Sequence, residues 1–312
     1  EIGSGLVGSE MCIRDRGKSD EGFRALDDVS LTIPKGCVYG FLGSNGAGKS
    51  TLMRMMCGVY KTDEGSITID GEEVYDNPAA KSKIFFVNDE TVQYTNFTFK
   101  ELKNYYADLY ENFSDEVFDR LSGKLNLPMN KKLSEFSKGM KRQAIVIIGL
   151  SCMTEYLMLD EAFDGLDPAM RKIVKDMIVD EMLDRDAAII VSSHNIAEIN
   201  ELCDRAMLIH KGKLIFADEI DEIKGSFRKI QIASGKRRIS REDIEGAGIN
   251  VMQYSSLGSV SQVIVRGSEE SIMAQMKTLA PDILEIIPLT LEEIFIYELE
   301  VRGYGSSVIK ED

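Results

Sequence analysis

Residues 43–51 read GSNGAGKST and fit the spacing G-x-x-x-x-G-K-[ST]. An apolar run, Tyr39, Gly40, Phe41 and Leu42, comes before them, and Leu52, Met53, Met55 and Met56 follow as the apolar positions of a helix. A strand, a glycine-rich loop and a helix in that order suit a phosphate. Gly43, Gly46 and Gly48 let the backbone turn successive N–H groups toward one anion at the positive end of the helix. Ser44, Asn45, Ala47 and Thr51 complete the cradle, Lys49 offers a point charge to the β- and γ-phosphates, and the Ser50 hydroxyl offers a ligand to magnesium. Taken alone, the spacing also fits an ordinary turn from strand to helix. The rest of the chain has to decide.

Phosphoryl transfer to water further needs a carboxylate for the metal, a base for the attacking water and donors where charge develops. Tyr156, Leu157, Met158 and Leu159 form an apolar strand that ends in Asp160 and Glu161. In a parallel sheet the carboxyl ends of strands line the ligand crevice. Asp160 is therefore expected to hold magnesium through water, and Glu161 to act as general base. Without the cradle before it, the acidic pair would read as a solvated turn. His194 follows Val191, Ser192 and Ser193 at the end of another predicted strand, and His210 is the one other histidine. A lone histidine is commonly structural, but this position suits contact with the γ-phosphate or the attacking water.

These residues need elements to hold them. Half-buried alternation at Val29, Leu31 and Ile33, a turn at Pro34, Lys35 and Gly36, and the strand before the cradle read as a β-hairpin. Strands are expected at 66–70 and 84–87, and helical spacing from 98 to about 127 marks a helical insert. From residue 137 onward helices and strands alternate, which predicts an α/β fold with a mostly parallel sheet. The pattern changes near Gly225 and Ser226 into a small α+β region of strand, helix, two strands, helix, strand and final helix.

The net charge of −15 and pI near 4.8 argue against broad binding to nucleic acid or anionic lipid. The longest apolar run, 144–150, is far short of the roughly 20 residues of a membrane-spanning helix. Direct insertion into a bilayer is therefore not expected. Residues 1–16 are set aside, because LVGSEMCIRD at 6–15 resembles the translation of a sequencing adapter, and Gly3, Ser4, Gly5, Gly8, Ser9 and Glu10 break any signal-peptide core. Cys12 falls within that segment. Cys37, Cys57, Cys152 and Cys203 lack paired metal spacing and are expected to be reduced.

Four motifs now stand in order: GSNGAGKST, FSKGMKRQ at 136–143, YLMLDEAFDGLD at 156–167 and SSHN at 192–195. Together they resemble the ATPase subunit of an ABC transporter, over residues 25–223. The resemblance implies a P-loop NTPase fold with an antiparallel β subdomain and a helical subdomain at about 95–153, within an ATP-binding domain at 17–225. Residues 226–312 form an accessory α+β domain resembling the C-terminal extension of bacterial exporter-type ATPases. It implies ATP and Mg2+ as cofactors and hydrolysis to ADP and phosphate, coupled to transport through a separate transmembrane permease. Two ATPase subunits, as a homo- or heterodimer, would stack head to tail. Ser137 and Gly139 would then contact the γ-phosphate in trans, and Asp167 would link the two sites. The expected location is cytoplasmic, peripheral on the inner face of the cell membrane. The alternatives are a soluble ABC ATPase acting on ribosomes or DNA, and a nucleotide-gated module without turnover. The 85 positions from Thr51 to Phe136 leave no room for the long coiled coil of chromosome-type forms.

Three departures from the family pattern matter. Asp89, within Asn88, Asp89 and Glu90, stands where the family has a glutamine; it could face magnesium through water but lacks an amide donor. Lys138 and Met140 replace the commoner glycine and glutamine of the signature. Gly17 matches the glycine after the adenine-stacking aromatic, so that aromatic falls at the end of the adapter-like segment. Its loss would remove about 1–3 kcal/mol of stacking, with Phe23 the remaining substitute.

Overall fold

The computed structural model describes residues 10–15, 18–20, 23–88, 94–183, 185–235 and 237–302. In chain order the first elements are β1 (Glu10–Asp15), β2 (Lys18–Asp20), β3 (Phe23–Leu26), β4 (Val29–Pro34), β5 (Val38–Leu42), α1 (Lys49–Met56), β6 (Gly65–Ile69), β7 (Glu72–Glu73), α2 (Pro78–Lys81) and β8 (Ile84–Val87). Then come α3 (Phe99–Leu109), α4 (Asp115–Leu125), α5 (Lys138–Ser151), β9 (Tyr156–Asp160), α6 (Pro168–Leu183), β10 (Ala188–Ser193), α7 (Ile196–Leu202), β11 (Arg205–His210) and β12 (Lys213–Glu219). The remainder is α8 (Ile220–Gly225), β13 (Phe227–Ala233), α9 (Arg241–Gly246), β14 (Val251–Leu257), β15 (Val260–Arg266), α10 (Glu269–Lys277), β16 (Ile283–Ile287) and α11 (Leu291–Val301).

A six-stranded sheet in the order β12-β11-β5-β10-β9-β8 carries the chemistry. Strand β5 runs parallel to β10 and β11, and β9 runs parallel to β10 and β8. Every residue of β5, β9 and β10 is buried, as expected of strands covered on both faces. Strand β10 lies between the strand that enters the cradle and the strand that ends in Asp160. This order brings the motifs together at one end of the sheet.

The expected hairpin of β4 and β5 does not form. Strand β4 joins a four-stranded sheet, β4-β1-β6-β7, whereas β5 enters the parallel sheet. The burial patterns explain the separation: β4 alternates between buried and exposed positions, so it has one apolar face, while β5 is apolar on both. One core cluster packs Met11, Leu31, Ile33 and Ile67 with Met53 and Met56 of α1 and with Tyr156 and Met158 of β9. Helix α1 is thereby fixed against both sheets.

Residues 10–15, set aside in the sequence, form β1 at the centre of the antiparallel sheet. Ile13 is in register with Leu31 on β4 and with Ile67 on β6, and Met11 is fully buried. Helices α3, α4 and α5 make up the insert. A reciprocal Thr98–Glu101 capping box starts α3 and Ser114 caps α4, each cap worth about 1 kcal/mol. Phe99 packs on Phe118 with centroids 5.1 Å apart. Burial pushes the Cys37 thiol up to about 11, and Cys37, Cys57, Cys152 and Cys203 are free. No helix of the described residues is long and apolar enough to cross a membrane.

The chain divides into two compact units, 1–217 and 218–312. This division precedes the composition change at Gly225, because α8 buries Ile220 and Ile223 and packs against β13 and α11 of the second unit. In that unit an antiparallel sheet of order β14-β15-β13-β16 carries the β-α-β-β-α-β arrangement of a split βαβ fold. Its core joins Ile230, Ile232, Val263 and Val265 to Ile244, Ile272 and Met276 of α9 and α10.

Candidate active site

The cradle has the shape that its glycines foretold. Gly48 is the N-cap of α1 in a left-handed conformation, φ 112°, and no side chain caps the helix. The N–H groups of the first turn are therefore left without a side-chain acceptor. Gly43 is required for space: a Cβ there would lie 2.4 Å from the Ile209 carbonyl oxygen. Gly46 faces open space, with Asn45 exposed beside it, Ser44, Ser50 and Thr51 half-buried and Ala47 buried.

Lys49 is 5 % exposed and folds back along the loop. Its Nζ donates to the Gly43 carbonyl at 2.7 Å and the Ser44 carbonyl at 3.3 Å, and stands 3.5 Å from Glu161 Oε1. The other carboxylate oxygen of Glu161, Oε2, lies 3.0 Å from His194 Nδ1. One carboxylate thus joins the cradle lysine to the histidine. Asp164, which that reading passed over, offers a third ligand atom within 4.8 Å of those of Glu161 and His194.

Asp160 is fully buried at the end of β9. Its Oδ1 accepts the Ser192 hydroxyl at 2.5 Å, and its Oδ2 has no hydrogen-bond partner. An orphaned buried oxygen costs about 1–3 kcal/mol, more for a charged group. The donor set therefore fits a hydrated magnesium ion, with Ser50 in the first turn of α1 as the accompanying hydroxyl. Glu161 is left-handed at φ 47°, a conformation that costs a non-glycine residue about 1–2 kcal/mol.

Around His194 a second network forms. Ser193 donates to Glu198 Oε2 at 2.7 Å, Glu198 Oε1 pairs with Arg171 at 2.7 Å, and Asn195 caps α7. None of Ser192, Glu198 and Arg171 stood out in the sequence as site residues, because each depends on a partner at least five positions away.

Ser137, Gly139 and Asp167 do not join this group. Ser137 is exposed and caps α5 through the Met140 N–H at 3.1 Å. A Cβ on Gly139 would lie 3.3 Å from the Gly165 carbonyl, and Asp167 Oδ1 accepts the Met170 N–H at 3.0 Å. Gly139 thus packs against the turn at Gly165, two residues before Asp167. Asp89 and Gly17 lie outside the described residues, as does the side chain of Phe23. Neighbouring Asn88 is held through its carbonyl by Arg142 of α5 at 2.7 Å.

A family model described as ABC transporter matches residues 26–164. The ABC transporter ATP-binding protein YtrB of Bacillus subtilis (strain 168) is 30% identical over 286 residues, covering 91% of this chain and 96% of that protein. The chain belongs to the family of ABC transporter ATP-binding proteins. The bacitracin transport ATP-binding protein BcrA of Bacillus licheniformis is 34% identical over 214 residues, covering 66% of this chain and 68% of that protein. A solved ATP-binding subunit of an ABC transporter superposes with a TM-score of 0.63 at 24% identity, over 69% of this chain and 91% of that one, and supports the fold. The protein is an ATP-hydrolysing subunit that powers an ABC transporter through a separate permease. Its antiparallel sheet, parallel sheet and helical insert are the parts expected of that P-loop architecture.

Proposed function

We propose that residues 43–51, Asp160, Glu161 and His194 form one half of an ATP site, completed by Ser137 and Gly139 of a second ATPase subunit. The observation that carries this reading is that Glu161 reaches both Lys49 and His194, whereas Ser137 is exposed and caps its own helix. Lys49 and the open N–H groups of α1 bind the phosphates. Glu161 takes a proton from the attacking water, and His194, within hydrogen-bond reach of Glu161, orients that carboxylate and contacts the γ-phosphate. Ser50 and, through water, Asp160 would hold magnesium, which would supply positive charge to the phosphate oxygens. Asp89, outside the described residues, is assigned by the family resemblance to the same metal, and Asp167 to the coupling between the two halves.

The separate α+β unit after residue 217 is consistent with reading residues 226–312 as the accessory extension of an exporter-type system. The subunit would sit on the cytoplasmic face of the membrane through its permease. Residues 1–16 are read as adapter-derived; pairing along β1 is made by backbone groups, which many sequences can supply. Sequencing the genomic locus across Gly17 tests this.

The composite site is tested by the mass in solution of Glu161→Gln with ATP and with ADP, measured by light scattering. A dimer with ATP alone is expected. A protein that binds ATP and stays monomeric, also after an aromatic-containing start replaces residues 1–16, would overturn self-pairing and point to a different ATPase subunit as partner.

A further inference from the structure

Consecutive residues of a strand point to opposite faces, yet Asp160 and Glu161 both have to serve one site. The chain resolves this by leaving the strand at Glu161 with a left-handed residue, φ 47°. Such a turn takes the Glu161 N–H out of the ladder and needs a substitute acceptor. Ser192 supplies it. It is fully buried on β10, in register with Asp160 on the neighbouring strand. The Glu161 N–H donates to Ser192 Oγ at 3.0 Å, and the same hydroxyl donates its proton to Asp160 Oδ1 at 2.5 Å. A hydroxyl has one proton and two lone pairs, so both bonds are made at once and each fixes the direction of the other.

We propose that Ser192 is a positioning residue for ATP hydrolysis: its single hydroxyl sets the rotation of the Asp160 carboxylate and holds the turn that aims Glu161. With Oδ1 occupied by Ser192, Asp160 is left with Oδ2 as the oxygen free to face a hydrated metal. With its N–H held, Glu161 keeps its carboxylate between Lys49 and His194. The next residue, Ser193, does different work, tying Glu198 and the Asn195 N–H on the other side of the strand end. Position 192 therefore requires a hydroxyl for the reacting carboxylates themselves. The inference rests on Glu161 as the base, and the measurements below separate the two.

The test compares full-length wild type, Ser192→Ala, Ser192→Thr and Glu161→Gln. Amide hydrogen exchange is read at Glu161, affinity for a fluorescent ATP analogue is measured with magnesium and with EDTA, and turnover is followed against ATP and magnesium. In Ser192→Ala, exchange at Glu161 is expected to rise about tenfold or more, because a protecting hydrogen bond is lost. Its kcat is expected to fall about 10- to 100-fold, the usual effect of removing a group that orients a ligand of the metal, with KM for ATP within about threefold. The magnesium concentration for half-maximal turnover should rise in the same range, about 10- to 100-fold, while metal-free nucleotide affinity stays unchanged. Ser192→Thr, which keeps the hydroxyl, should restore all three.

The proposal is overturned if Ser192→Ala keeps wild-type kcat and magnesium dependence, whatever its exchange rate. It is equally overturned if Ser192→Thr melts like wild type yet is as impaired as Ser192→Ala, since the site would then respond to packing and not to the hydroxyl. If Glu161→Gln retains turnover, the base assignment fails; the exchange and metal-dependence measurements still decide the role of Ser192.

Discussion

Asp160 and Lys229 show two ways of holding charge in one chain. Asp160, in the first unit, is fully buried with one oxygen left unpartnered. Lys229, on β13 of the second unit, lines a cavity of about 200 Å³ with Gln253, Ser255, Gln262, Glu293 and Ile296, and this cavity also holds charge. There, however, Lys229 Nζ meets Glu293 Oε1 at 2.5 Å, and Gln262 donates to Gln231 at 3.2 Å. Among the described residues, no buried side-chain atom of the second unit lacks a partner. A buried carboxylate oxygen at the mouth of a phosphate cradle calls for water or an ion, whereas a satisfied pair belongs to the scaffold.

Three measurements would break or sharpen the contrast. The largest effect is expected from Glu161→Gln, where steady-state turnover should fall about 10²- to 10⁴-fold while ATP still binds; a smaller loss would remove Glu161 from the role of base. Next, Lys229→Met and Glu293→Gln should each lower stability by about 1 kcal/mol in chemical denaturation and leave turnover within about twofold. Burial alone would raise the Glu293 carboxyl, but Lys229 and the Thr290 N–H hold it below the usual range. A large loss of turnover in either variant would show that the second unit takes part in the chemistry.

The smallest effect concerns acid. Arg237 and the Ser240 N–H hold the Asp243 carboxyl down to about 2, from an ordinary value of 3.8. A carboxyl lowered in the folded state stabilises above its unfolded value, and that contribution is lost as pH falls through the folded one. The melting temperature of wild type should therefore exceed that of Asp243→Asn at neutral pH, and the gap should close between about pH 4 and pH 2. A gap that persists at pH 2 would assign the effect to the shape of the capping box and not to charge.

Most of what makes this an ATPase is written locally. The cradle fits within nine residues, and its glycines, lysine and serine act through backbone geometry and the end of one helix, so spacing alone reports them. The same holds for Asp160 and Glu161, which end an apolar strand. The split βαβ order of the second unit follows from alternation of period two and 3.6 read along the chain.

Other features were decided only by tertiary contacts. Strands β4 and β5 looked like a hairpin because they are neighbours in sequence, but their different burial sends them to different sheets. Ser192 became part of the site only because β10 packs beside β9 and sets it in register with Asp160, 32 positions away. Arg171 and Glu198 meet across two helices, and α8 joins the second unit through Ile220 and Ile223. Local spacing carries information about turns, caps and helix ends, whose partners lie within a few residues. It carries none about which strand lies next to which, because pairing between distant strands depends on how the whole sheet buries its faces.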